Sequence, residues 1–321
     1  MESTKRSLEH FPVQLFAIIM GLSGLSIVFA KAYHLVDMPY WIYITMLSID
    51  TVLFFGIFIT YMFKWLIYPN AVKKEFYHPI KSSFMATISI SFLLLSIAYY
   101  DFAPTISILF WYIGTPLQLL FTLIIMRYWI GNELQVVHSN PAWFIPIVGN
   151  VLVPVVGVES APIWVSIFFF ALGLFFWLVL FTIFMYRIVF HHPLAKKLIP
   201  TLFILIAPPS VGFISYFRIT NGSIDVMSMF LYFIALFTLF LLLFMIRMFD
   251  VKEFFISWWA YTFPLASITI ATLLIYMALG TSLAYWGSII LIILTTAVIG
   301  FVTYRTIQEC KKEKICIAEE A

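Results

Sequence analysis

The chain is a succession of apolar runs, each long enough to cross a lipid bilayer, separated by short polar breaks. Ten can be read: 11–32, 40–65, 84–100, 105–130, 143–158, 163–190, 198–217, 223–249, 257–279 and 283–306. A spanning helix needs about 20 mainly apolar residues. In hydrocarbon the helix satisfies all its backbone polar groups within one segment. The composition leaves no soluble alternative: 63% of the 321 residues are hydrophobic and 10% are charged, against roughly 25% charged in soluble domains. A net charge of +3 with no concentrated basic face excludes a nucleic-acid-binding protein. The run over 143–158 is short and contains Pro146, Gly149 and Pro154, which points to a tilted, broken or partly re-entrant helix. The first run is too long for a signal-peptide core and is followed by further spans. The expected organisation is a terminal segment 1–10, a membrane domain 11–306 and a tail 307–321.

Charge orients the spans. With the N-terminus in the cytoplasm, all of the 18 basic residues except Lys31 and Arg218 fall on the cytoplasmic side, as the positive-inside rule requires. An odd number of spans would invert everything downstream and destroy this asymmetry, so both termini are expected in the cytoplasm. The links at 36–39, 101–104, 159–162 and 280–282 are only a few residues long, which forces antiparallel neighbours and five helical hairpins.

Proline divides the spans into two sets. Phe11-Pro12, His78-Pro79, Asn140-Pro141 and Ile199-Pro200 precede the first four odd-numbered spans at intervals of 67, 62 and 59 residues, a period of one hairpin. Interior prolines also favour odd spans: Pro146 and Pro154, Pro208 and Pro209, and Pro264, with only Pro116 in an even one. A freed carbonyl is tolerated where a helix is packed in protein or lines a cavity. Odd helices are therefore expected inside and even helices outside.

The chemistry present is that of a conduit rather than an enzyme. No HExxH, GxSxG or phosphate-binding loop occurs, and the six histidines lie near span ends or in loops. No cofactor or metal site is expected, and Cys310 and Cys316 have no further Cys or His beside them in the tail. Asp50 is the one acid deep in a span; a structural hydrogen bond and a proton-coupling role are both open to it. The other polar groups at mid-depth are hydroxyls and amides, among them Ser23, Ser89, Asn150, Ser210, Thr262 and Ser267. Such a neutral path suits a poorly hydrated anion better than a cation, which acidic rings would serve. Lys73, Lys74 and Lys81 would raise the local anion concentration at the cytoplasmic mouth.

Five segments carry a resemblance: FPVQLFAIIMGLSGLSI, EFYHPIKSSF, NPAWFIPIVGN, LIAPPSVGFISYF and SWWAYTFPLAS, in that order. Together they resemble the tellurite-resistance/dicarboxylate transporter family, which includes TehA, plant slow-type anion channels, and yeast malate and sulfite transporters. The resemblance implies an all-α membrane protein of ten helices in five hairpins, odd helices forming an inner ring and even helices an outer ring around a pore. It implies a homotrimer in the plasma membrane whose partners are small inorganic or organic anions. It also implies a plug: in channel-like members a phenylalanine in the ninth helix closes the pore, within a pattern matched here by Ala260–Ser267, so the gate is Phe263. The pore-lining candidates are Gly21, Ser89, Asn150, Pro208, Ser210, Thr262 and Ser267, with His78 and Lys81 at the mouth. The sequence departs from the family where a mid-helix proline is usual, at Ile19 and Ser89, and after the gate, where Pro264 replaces a frequent Gly. The implied function is a gated channel for small monovalent anions. The alternative is a secondary transporter or exporter of C4-dicarboxylate, sulfite or tellurite-type oxyanions, possible coupling groups being Asp50 and His78.

Overall fold

The computed structural model describes residues 7–79, 81–249 and 253–317. Lys5, Arg6 and Lys252, assigned above to the cytoplasmic side, lie outside the described residues. Every regular element among the described residues is helical. Among these residues ten helices are long and apolar enough to cross a membrane: Val13–Val36, Tyr40–Ile67, Lys81–Tyr99, Pro104–Gly131, Pro141–Ser160, Ile163–Phe190, Lys196–Ile219, Val226–Phe244, Ile256–Leu279 and Ser282–Lys311. They match the ten runs read from the sequence, with ends shifted by a few residues. The tenth continues to Lys311, and the eighth stops at Phe244 before a 3-10 turn at Ile246–Phe249.

The two sets of spans differ in regularity. Each even span is one uninterrupted α-helix. Odd spans start irregularly. A 3-10 turn at Val13–Leu15 precedes the α-helix Phe16–Val36. The third span breaks at Met85, between Lys81–Phe84 and Ala86–Tyr99. The fifth alternates: Pro141–Trp143 (3-10), Phe144–Val148 (α), Gly149–Leu152 (3-10), Val153–Ser160 (α). In the seventh and ninth, 3-10 stretches Lys196–Ile206 and Ile256–Tyr261 lead into α-helices Ala207–Ile219 and Thr262–Leu279.

These junctions explain the interior prolines. Pro154, Pro208 and Pro264 fall in the first turn of an α segment, where the backbone N–H has no intrahelical partner and proline loses nothing. They open a new segment rather than kink an existing one. Pro200 departs from the spacing argument: it sits within the 3-10 stretch, not ahead of it. The α-helices of the first and third spans run unbroken through Ile19, Gly21 and Ser89. The break in the fifth span is braced by the fourth span and by one residue of its own. The Pro146 carbonyl accepts hydrogen bonds from Gln118 Nε2 (2.9 Å), Thr122 Oγ1 (2.8 Å) and Asn150 Nδ2 (3.1 Å). A buried carbonyl left unpaired would cost about 1–3 kcal/mol.

Burial separates the same two sets. In their most apolar stretches the odd spans are 78–89% buried and the even spans 22–39%. Odd spans pack on one another in succession: first on third, third on fifth, fifth on seventh, seventh on ninth, and ninth back on first. Glycine permits the last of these contacts. A Cβ on Gly21 would lie 2.3 Å from Thr262 Oγ1, and one on Gly24 would lie 2.8 Å from the Ala266 Cβ. Gly21→Ala is therefore expected to push the first and ninth spans apart, at a cost of about 1–3 kcal/mol. Thermal unfolding in detergent measures this, and an unchanged midpoint would contradict the close packing.

A short helix, Pro69–Phe76, follows the second span, between two of the apolar runs. It buries Val72 and Glu75 and exposes Lys73 and Lys74. Glu75 Oε1 lies 2.9 Å from Lys64 Nζ, with side chains only 9% and 2% exposed. Tyr61 donates to Glu75 Oε2 at 2.8 Å, and Lys64 also donates to the Phe11 carbonyl at 2.8 Å. This buried cluster ties the second span to the start of the first.

Candidate functional site

Two cavities lie between the odd spans. The larger, about 780 Å³, lies at the end of the bundle where His10 and Ile317 line it. The smaller, about 300 Å³, lies toward the opposite end. Each is lined by residues of all five odd spans, and three residues border both: Leu152, Val211 and Phe263. Phe263 follows the 3-10 stretch Ile256–Tyr261, at the second position of the ninth span's α-helix, and is 7% exposed. The 3-10 start makes the turn tighter, and the ring lies beside Gly24, where an added Cβ would meet Phe263 Cδ2 at an ordinary contact distance of 3.5 Å.

Electrostatics differ between the ends. The large cavity is bordered by Lys81, Lys197, Arg305 and Lys314 against Glu253 and Glu309, with His10 and His78 nearby. The C-terminal segment folds across this opening. Lys314–Ile317 line it, and the Ser7 backbone N–H donates to the Cys316 carbonyl at 3.3 Å. Lys312 pairs with Glu309 at 2.8 Å. The small cavity carries Lys31, paired with Asp101 at 3.2 Å, and Arg218, paired with Glu159 at 2.6 Å.

The residues singled out from the sequence divide in the structure. Phe263 borders both cavities, Pro208, His78 and Lys81 border the large one, and Ser267 borders the small one. Gly21, Ser89, Asn150, Ser210 and Thr262 border neither. Gly21 packs against Thr262; Ser89 donates to Gln118 Oε1 at 2.7 Å; Asn150 braces the fifth span; Thr262 donates to the Trp259 carbonyl at 2.7 Å. Ser210 is buried, with no hydrogen-bond partner among the described residues. Ser267, at the small cavity, spends its proton on the Pro264 carbonyl at 2.8 Å. A path lined by free hydroxyls is thus not what the structure offers. Hydroxyls on helices bond back to carbonyls three or four residues earlier, and the walls where the cavities meet are apolar. Lys73 and Lys74 are exposed on Pro69–Phe76 and border neither cavity. Asp50 is fully buried, accepts from Ser23 Oγ at 2.6 Å, and keeps its second oxygen unpartnered among the described residues.

Sequence reasoning missed the Lys64–Glu75 pair, the bracing role of Gln118 and the Arg218 cluster. None has a local signature. Arg218 and Glu159 are 59 residues apart, and Lys64 and Glu75 are separated by the turn at Pro69.

The family model described as "SLAC1: Voltage-dependent anion channel" matches residues 10–307. The chain is 31% identical to the S-type anion channel SLAH2 of Arabidopsis thaliana, over 82% of this chain and 52% of that protein. It is 28% identical to an uncharacterized transporter of Methanocaldococcus jannaschii, over 85% of this chain and 87% of the relative. To the tellurite resistance protein TehA homolog of Haemophilus influenzae it is 24% identical, over 94% and 91%. The chain thus spans about half the length of the plant relative and most of the other two.

Proposed function

The chain belongs to the SLAC1 family of voltage-dependent anion channels, and from that premise we propose that it passes small monovalent anions, such as chloride or nitrate, through a central pore closed by Phe263. The family comprises anion channels and transporters, not enzymes. The odd spans form the inner ring and the even spans the outer ring of this pore. Supporting the arrangement are the closed succession of contacts between odd spans and their deep burial.

The observation that carries the gate is that one side chain borders both cavities. Phe263, with Leu152 and Val211, makes an apolar septum between two spaces that reach toward opposite ends of the bundle. An apolar constriction of this kind stops ions by excluding water. Moving the ring aside joins the two spaces. Four Lys and Arg side chains against two carboxylates at the large cavity raise the anion concentration there. That cavity is the cytoplasmic mouth of a multi-pass plasma-membrane protein with both termini inside, and the pore works as one of three in a homotrimer.

Purified protein in liposomes tests the reading with a panel of chloride, nitrate, malate and sulfate. Chloride and nitrate should carry current that grows with concentration without early saturation, and the divalent anions should carry little. Uptake of malate that saturates at low concentration and follows a pH gradient would instead establish a coupled carrier.

A further inference from the structure

Among the described residues, Lys31 and Arg218 are the Lys and Arg side chains that line the 300 Å³ cavity. Arg218 is held rigidly. Its Nε donates to the Val155 carbonyl at 2.9 Å, and its Nη2 donates to Tyr100 Oη at 3.2 Å and Glu159 Oε1 at 2.6 Å. The guanidinium lies over the Tyr100 ring, 5.1 Å from its centre. Tyr100 in turn donates to Glu159 Oε2. A guanidinium has five N–H donors, so these contacts use three and leave the two on Nη1 without a partner among the described residues. Nη1 is not sealed away: the side chain is 28% exposed and Nη1 itself reaches the solvent-accessible surface.

We propose that this cavity is a binding site for weakly hydrated monovalent anions, nitrate being the type case, and that Arg218 is its specificity-determining residue. The inference rests on the reading that anions pass Phe263, which borders the same cavity. Ile27, Leu94, Ile270 and Leu274 supply apolar walls, so an entering anion sheds water, and the least hydrated anion pays least. Guanidinium is itself weakly hydrated and presents fixed donors, whereas ammonium is a compact, strongly hydrated charge. Two cations face two carboxylates, Lys31 with Asp101 and Arg218 with Glu159. The site is therefore close to electroneutral and holds an anion without trapping it, as conduction requires.

Bi-ionic reversal potentials in liposomes, on the native and the Phe263→Ala backgrounds, test the assignment. Arg218→Lys keeps the charge and is expected to lower the nitrate-to-chloride permeability ratio about tenfold, the scale of one charged hydrogen bond. Glu159→Gln should shift half-saturation to lower nitrate. Measurable currents with an unchanged ratio in Arg218→Lys overturn the site while leaving the channel standing. If no chain carries current, the gated path fails instead, and nitrate-dependent thermal stabilisation of the purified protein decides the site. Stabilisation in the native chain that is lost in Arg218→Lys sustains it, and no stabilisation overturns it.

Discussion

Phe263→Ala is expected to raise anion conductance on the order of tenfold, equal to roughly 1.4 kcal/mol taken off the barrier. The ring is the largest of the three side chains that border both cavities. Removing it joins spaces of about 780 and 300 Å³ and lets water bridge the constriction. The same variant separates a gate from ordinary packing. A core phenylalanine replaced by alanine typically costs about 3–5 kcal/mol and opens nothing. A ring between two existing cavities has less packing to lose, so current should rise with a modest fall in the unfolding midpoint. A well-folded variant with native current would end the gate assignment.

The second large effect concerns stability. Lys64→Met is expected to cost about 3–5 kcal/mol, because it leaves the Glu75 carboxylate buried without its counter-charge. The pair sits 2.9 Å apart and almost fully enclosed. Lys64 also holds the Phe11 carbonyl, so the start of the first span loosens with it. Replacing both partners by apolar residues, Lys64→Met with Glu75→Leu, should recover much of the loss, since no lone charge remains. Thermal unfolding in detergent distinguishes the cases. A single variant as stable as the native chain would show that the pair does not anchor this corner.

The ten spans were legible because the bilayer imposes a length and an apolar content that no local detail can hide. The placement of Lys and Arg carries the proposed orientation. The division into two sets was legible in proline, though for a reason only coordinates reveal: Pro154, Pro208 and Pro264 open α segments after 3-10 or irregular starts. Which residues face the cavities was much less legible. Ser89, Asn150 and Thr262 are polar and deep, as pore residues would be, yet each is spent on bracing a helix or satisfying a carbonyl. Helical hydroxyls can bond their own backbone, so polarity at depth does not imply access to a lumen. Phe263 was reached only through resemblance, because 35 phenylalanines leave composition no basis for choosing one. The pairings Lys64–Glu75 and Arg218–Glu159 depend on tertiary geometry and have no periodic trace.

The septum of Leu152, Val211 and Phe263 has an electrical consequence. On the proposed gate, with electrolyte in both cavities, most of the membrane potential would drop across these three side chains. None carries a formal charge. Moving one elementary charge through the full field is worth about 2.3 kcal/mol per 100 mV, and none of these three side chains supplies one. Swinging the ring therefore transfers almost no gating charge, and the open probability should be nearly flat with voltage. The current would still depend on voltage through its driving force.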